Sequence, residues 1–473
     1  MSKSREKQFA KNTLILSIGT LGSKIFTFFL LPLYTVVLTT EDYGNVDVLQ
    51  STIQLAVPII TLQLSAATFR FLIERKTIED KAKVITDAIV IVGINVIISI
   101  ICFCILYIIH PFAYFTLFVL SFAASALYTI TQSIVRGFGH NALYSFCGFI
   151  SVLSSLLTNV ILILGFGKKG SSILVALIVS NTLTSVIMIL KEQMWKYVKV
   201  RLFDKDTLKE LLQYSLPLIP NEISWWIANA SDRFLILAFL GSSFNGIYAA
   251  ANKISGIFVT IFNVFNLAWQ ESMSRSVNDS DRDSFVNGMI NRCYRIFVCL
   301  CLGIISSVSV FFDFLFGVNY RAAYPHVYIL TIAIFFNSMC ALYGGIFTAF
   351  KKSKIIGSTT AVGAVANIII NFSLIRIFGL YAASVSTLIS YLIVFIIRVW
   401  QASKLIHFKW PIAYFLRTLI AFVVISVGYF YRNNLLNIVI LTLTALWSIM
   451  ENKDIVWAVI NGINERVRNR RQA

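Results

Sequence analysis

Charge is scarce in this chain: only 13% of its 473 residues are Asp, Glu, Lys or Arg, against roughly 25% in a typical soluble domain. Apolar residues make up 58%, and mean hydropathy is +0.79. Together these exclude a row of ordinary soluble domains, although length alone would permit about three. Acid is scarcer than base, 22 residues against 40, giving a net charge of +18. A basic surplus often marks a nucleic-acid partner. Here the bases lie in short loops between apolar runs and form no basic domain, so no nucleic acid is expected. Histidine is limited to His110, His140, His326 and His407, which are scattered. The seven cysteines fall in or beside apolar runs, and none forms a C-x-x-C pair. Cys102 and Cys104, like Cys299 and Cys301, are two apart and face different sides of a helix. They read as small packing residues. No metal and no cofactor is expected. Long outer loops are missing too. The longest, around 312–324, leaves no room for an external catalytic domain, which argues against an enzyme. GFGKKGSS at 165–172 has the glycine spacing of a phosphate-binding loop, but Ser171 stands where that loop needs lysine.

What is present is a succession of apolar runs, each about 20 residues long and able to cross a hydrocarbon core. They fall at 13–37, 45–69, 84–109, 112–135, 142–166, 171–190, 212–240, 245–270, 289–312, 324–350, 355–376, 379–400, 411–431 and 434–451. Fourteen spans are therefore expected. The leader MSKSREKQFAK is basic, but the run after it is too long for a signal peptide and lacks a clear cleavage site, so a retained first helix is expected. With the N-terminus in the cytoplasm, 31 of the 40 Lys and Arg residues lie in cytoplasmic segments and five in outer loops. That asymmetry places both termini inside.

The chain also repeats. At a shift of 202 residues Leu38 falls on Leu240, Gly44 on Gly246 and Gln50 on Asn252, and the turn TTEDYG falls on GSSFNG. Near a shift of 212, Asn159 falls on Asn371 and Gly167 on Gly379. Six spans separate the copies, so both halves keep one orientation. Such a parallel repeat places a substrate site between the halves. The expected fold is all-α and polytopic: two parallel six-helix bundles around a central cavity, plus two C-terminal helices. The expected divisions are 1–190 for the first bundle, 191–211 for a cytoplasmic linker, 212–400 for the second bundle, and 401–473 for the added helices and basic tail.

Polarity concentrates in spans one, two, seven and eight. NEISWWIANASDRF at 221–234 puts Glu222, Trp225 or Trp226, Asn229, and Asp232 or Arg233 on one broad helical face. Asp47, Gln50, Gln54, Thr61 and Ser65 share a face in span two, with Pro58 among them. Asn252 and Asn263 form a stripe in span eight, bordered by Lys253. Lys24 stands alone near the middle of span one. A charge at the bilayer centre costs at least ~2.5–3.5 kcal/mol on insertion scales, so Lys24 needs a wet cavity or a partner. Plainer roles exist for several of these residues. Asp232 and Arg233 can form an interfacial pair, Asp47 can be solvated, and Arg70, Arg136 and Arg275 can be orientation charges at cytoplasmic ends rather than a cavity mouth.

The run PLIPNEISWWIANASDRF at 217–234, with GIYAAANKI at 246–254, NLAWQ at 266–270, GSKIFTFFLLPLY at 22–34 and EDYGNVD at 41–47, resembles the bacterial Wzx-type polysaccharide repeat-unit flippases. Their wider superfamily includes lipid II flippases and multidrug and toxin extrusion antiporters. The resemblance implies two six-helix bundles about a cationic cavity in the bacterial cytoplasmic membrane. It implies a substrate of undecaprenyl diphosphate bearing an oligosaccharide repeat unit, turned to the outer leaflet for capsule, O-antigen or exopolysaccharide assembly. Polymerase and chain-length proteins would be partners, and an H+ or Na+ gradient would contribute. On that reading Lys24, Arg233 and Lys253 attract the diphosphate. Gln50, Gln54, Trp226, Asn229, Asn252 and Asn263 meet the glycan. Glu222, Asp232 or Asp47 carries the coupling ion. Two alternatives stand beside it. A cation-coupled multidrug antiporter predicts a cavity dominated by carboxylates, whereas acids and bases are mixed here. A membrane glycosyltransferase or polymerase predicts the long outer loop that is missing.

Overall fold

The computed structural model describes residues 30–167, 169–275, 279–408, 412–454 and 457. Every regular element among them is helical. The chain forms two compact units, one reaching Ala250 and the other beginning at Ala251.

The first unit follows a helical stretch at 30–37 with α1 (Thr40–Ile60), α2 (Leu64–Glu74), α3 (Ile78–Ile109), α4 (Phe115–Gly137), α5 (Asn141–Val160), α6 (Ser171–Glu192), α7 (Lys205–Ser215) and α8 (Ile219–Leu240). Local chemistry sets the starts. The Thr39 hydroxyl accepts from the Asp42 amide at 3.1 Å, and Glu41 and Asp42 complement the positive end of α1. Thr77 caps α3 in the same way. Asp204 caps α7, accepting from the Thr207 amide at 3.2 Å and hydroxyl at 2.6 Å; these bonds hold its carboxyl below the usual carboxylate range.

The stretch expected as one span at 45–69 is broken. α1 and α2 meet at a 50° bend. Pro58 has no N–H to give the Gln54 carbonyl and crowds that turn. Three residues later the helix ends. Leu62 and Gln63 adopt left-handed φ values of 52° and 54°, a sparsely populated region for such side chains. The Gln63 amide closes the end on the Pro58 carbonyl at 2.9 Å. The Ile60 carbonyl loses its helical partner and accepts from the Asn95 side chain at 3.0 Å instead. That replacement matters, because a buried carbonyl away from water is costly to leave alone.

α4 and α6 approach closely through small residues, with Ser121, Ala124, Ala126, Ser180, Thr184 and Ser185 all buried. Asn181 donates across to Ser125 Oγ at 3.0 Å. Leu64, Val84, Ile134, Met188 and Leu211 form the apolar core. Leu211 belongs to α7, so the segment expected as linker and start of span seven is a short amphipathic helix seated on that core. Pro217 and Pro220 then mark a 3-10 turn (Leu216–Leu218) and the first turn of α8, where their missing N–H groups cost nothing. At the start of α9 (Ser242–Arg275), glycines allow close approach to α1. A Cβ on Gly246 would lie 1.9 Å from the Thr40 carbonyl oxygen, and one on Gly44 1.8 Å from that of Ser242. Asn245 donates to the Gly44 carbonyl at 2.9 Å, and the Thr40 and Ser243 hydroxyls are 2.6 Å apart. The aligned turns of the repeat thus touch each other.

The second unit holds the rest of α9, then α10 (Arg282–Leu315), α11 (Tyr324–Ala349), α12 (Ser353–Phe378), α13 (Leu380–Ser403), α14 (Ile412–Tyr431) and α15 (Asn434–Glu451). Trp269 is fully buried and donates to the Leu342 carbonyl at 2.8 Å; Gly345 leaves room for its ring. Arg398, counted above among cytoplasmic charges, is only 5% exposed. Neutral groups take its N–H bonds: the Thr359 and Thr360 hydroxyls at 2.9 Å each, the Cys340 carbonyl at 2.8 Å and the Ile356 carbonyl at 3.2 Å. It ties α11, α12 and α13 together.

Ten helices among the described residues are long and apolar enough to cross a membrane, or eleven if the bent α1–α2 pair is one span. The fourteen expected exceed this number. Most of 13–37 lies outside the described residues, and the polar helices α8 and α9 are not among the ten.

Candidate functional site

The first unit encloses a cavity of about 390 Å³ beside the α1–α2 break. Gln50 and Gln54, one helical turn apart on α1, line it together with Gln63 from the break and Ser65 from α2. Ser125 and Thr129 of α4 and Glu222 of α8 complete its polar wall, while Ile53, Val57 and Leu177 supply apolar surface. The break is what puts Gln63 there. A continuous helix would carry residue 63 around its own axis, whereas the left-handed turn holds the amide in the wall with only 9% of the residue exposed.

A second polar cluster joins α1, α8 and the start of α9. Arg233 Nε donates to Asp47 Oδ2 at 2.6 Å, and Asp47 is only 7% exposed. Asp232, equally buried, accepts from the Tyr248 hydroxyl at 2.7 Å. The Trp226 indole N–H donates to the Ser51 carbonyl at 2.8 Å, and its ring lies 5.0 Å from that of Phe234. The structure therefore brings Gln50, Gln54 and Glu222 to one cavity and Asp47, Trp226, Asp232 and Arg233 to an adjoining cluster. Asp47 has a charged partner, so the solvated role offered as its plainer alternative does not describe it. Arg233 neighbours two acids, and its cation is partnered by Asp47.

The other expected residues lie elsewhere. Arg70 pairs with Glu74 at 2.6 Å on an exposed face. The Arg136 guanidinium sits 4.5 Å from the Phe69 ring centre and 5.2 Å from that of Tyr144. In the second unit Asn252 is half-buried, while Lys253 and Asn263 are exposed. Lys24 lies outside the described residues, as do the side chains of Asn229 and Arg275. Ser65, expected on the polar face of span two, does line the cavity. Sequence reasoning missed Gln63, Ser125, Thr129 and Asn95. Pro58 was the one available signal for Gln63, since it marks where α1 weakens. Nothing in the periodicity of α4 distinguishes cavity-facing hydroxyls from packing ones.

The second unit holds a cavity of another kind. It measures about 500 Å³ and is lined by Tyr294, Phe335, Phe336, Phe415 and Phe422, with Leu302 and Leu419 among the aliphatic residues.

Solved membrane transport proteins share the fold of this chain. The lipid II flippase MurJ, in its inward closed conformation, superposes with a TM-score of 0.72 at 15% identity, over 94% of this chain and 100% of that one. An inward-facing multidrug resistance MATE family transporter of the MOP superfamily superposes with a TM-score of 0.66 at 14% identity, over 82% and 98%. At these identities the likeness is one of fold. The chain belongs to the polysaccharide biosynthesis protein family, which matches it over residues 9–275. Two membrane proteins of Methanocaldococcus jannaschii, both described as uncharacterized, are similar as well. MJ1068 is 24% identical over 48% of each chain, so the match spans about half its length. MJ1375 is 25% identical over 60% of this chain and 69% of its own.

Proposed function

We propose that this protein is a flippase that turns a lipid-linked oligosaccharide repeat unit from the inner to the outer leaflet of the bacterial cytoplasmic membrane, by alternating access, for capsule, O-antigen or exopolysaccharide assembly. The observation that carries this reading is the cavity lined by Gln50, Gln54, Gln63 and Glu222, within the segment that matches the polysaccharide biosynthesis family. A diphosphate-linked glycan cannot cross hydrocarbon unaided. Amide and hydroxyl side chains offer its hydroxyls what water offers outside. Lys24 and Lys253 supply cations for a diphosphate, and Arg233 would join them by exchanging its Asp47 partner for the substrate. Glu222, Asp232 and Asp47 are the candidates to carry a coupling H+ or Na+. One charge crossing 100 mV releases about 2.3 kcal/mol. The distribution of Lys and Arg supports a cytoplasmic position for both termini.

Vesicles loaded with undecaprenyl-diphosphate oligosaccharide test the proposal. The wild-type chain should expose the glycan to an outside enzyme, and Lys24→Ala should abolish that exposure while insertion persists. Undiminished exposure with Lys24→Ala would remove the lysine from the mechanism, and no exposure with the wild type would overturn the flippase reading. The MATE fold supports a second reading, a cation-coupled exporter of small cations. Export of a cationic dye by the wild type, with no glycan movement, would favour it.

A further inference from the structure

The cavity beside the α1–α2 break has a wall with a specific chemistry. Gln50, Gln54, Gln63 and Ser65 make no side-chain hydrogen bond to another described residue. Each amide brings two N–H donors and a carbonyl acceptor, and the serine brings one hydroxyl. Gln63 is the most telling, being nine-tenths buried with its amide group uncommitted. Gln54 is exposed and Gln50 and Ser65 are half-buried, so these groups face the open cavity and are available to an occupant rich in hydroxyls and amides. Glu222 is the ionisable residue of the wall, and no Lys, Arg or His lines it among the described residues. The nearby guanidinium of Arg233 is already held by Asp47. Among the described residues that line the cavity, an anion would meet a carboxylate and no cation. A volume of about 390 Å³ is at the small end of the ~300–1,000 Å³ range of small-molecule sites and has room for a terminal sugar.

We propose that this cavity is a sugar subsite selective for uncharged or ammonium-bearing sugars over carboxylate-bearing ones. The amides and Ser65 pair with ring hydroxyls or an acetamido group, Ile53, Val57 and Leu177 meet the apolar ring face, and Glu222 takes an ammonium group where the sugar carries one. The inference rests on the flippase reading for its biological setting, but its binding chemistry stands on the cavity alone.

The test uses the purified full chain and three probes: the methyl glycosides of N-acetylglucosamine, glucosamine and glucuronic acid, followed by saturation-transfer NMR. The first two should bind at least tenfold more tightly than the glucuronide. Glu222→Gln should cancel the advantage of glucosamine over N-acetylglucosamine. Gln54→Leu should weaken all three. Gln63→Asn, which tolerates the left-handed backbone while withdrawing the amide, should do the same without unfolding the break. Glucuronide binding as tight as the others, or an order of affinities unchanged in Glu222→Gln, would overturn the inference. Transport is scored separately on lipid-linked glycans ending in the same three sugars. Binding in the expected order without movement of any glycan supports the subsite and overturns the flippase reading. Equal movement of all three overturns the selectivity.

Discussion

The two cavities are built from the same material, bundled apolar helices, yet their walls have little in common. In the first unit a helix stops, and the interruption delivers Gln63 and Ser65 to a wall already carrying Gln50, Gln54 and Glu222. In the second unit the helices around Phe335, Phe336 and Phe422 run unbroken, and the wall is almost wholly carbon. An unbroken helix satisfies its own backbone, so its neighbours can be as apolar as the lipid. A broken one exposes carbonyls and strained turns that need polar company. Asn95 on Ile60 is that company. Two arginines repeat the contrast: half-buried Arg233 is neutralised by Asp47, whereas buried Arg398 is cradled by hydroxyls and carbonyls with no carboxylate among its bonds to described residues.

Charge gives the largest expected effect. Asp47→Asn removes the carboxylate that Arg233 Nε donates to; losing one member of a fully buried pair costs about 3–5 kcal/mol, and half-buried Arg233, with Asp232 beside it, should lose about half of that. Arg233→Met added to Asp47→Asn should restore most of that stability, as read by thermal unfolding in detergent. An Asp47→Asn protein as stable as wild type would show that the pair is solvated after all. Gly246→Ala comes next. Its methyl would press on the Thr40 carbonyl, and overpacking of this kind costs about 1–3 kcal/mol. Disulfide capture between Thr40→Cys and Ser243→Cys should fall when Gly246→Ala is added; capture at the wild-type rate would mean the contact absorbs the methyl. The smallest effect is expected in the apolar wall. Phe335 is half-buried, so Phe335→Ala should cost roughly 1–2 kcal/mol, less than the ~3–5 of a fully buried ring, and should leave saccharide binding unchanged. A loss of binding would tie the apolar cavity to the sugar.

Much of this was legible in the sequence. Long apolar runs announce the helices, and the spacing of Gln50, Gln54 and Glu222 anticipates polar faces that do meet. Two features were hidden. Pro58 alone does not end a membrane helix, because neighbouring groups can re-satisfy the backbone; it took the left-handed turn at Leu62 and Gln63, and Asn95 to cover the exposed carbonyl. The Asp47–Arg233 pair joins residues 186 apart, and periodicity reports which face a residue occupies but not its partner across the fold. Arg398 misled for a related reason: a cation near a helix end reads as a loop charge until the hydroxyls of Thr359 and Thr360 are seen around it.

The central claim is that the amide-lined cavity receives the glycan while the aromatic one does not. It is tested most directly by measuring flipping of undecaprenyl-diphosphate oligosaccharide in vesicles containing the Gln50→Leu/Gln54→Leu double variant, with Phe335→Ala beside it. The account predicts at least a tenfold slower rate for the double variant, about 1.4 kcal/mol, at unchanged expression and thermal stability, and a rate near wild type for Phe335→Ala. Flipping by the double variant at the wild-type rate would contradict it.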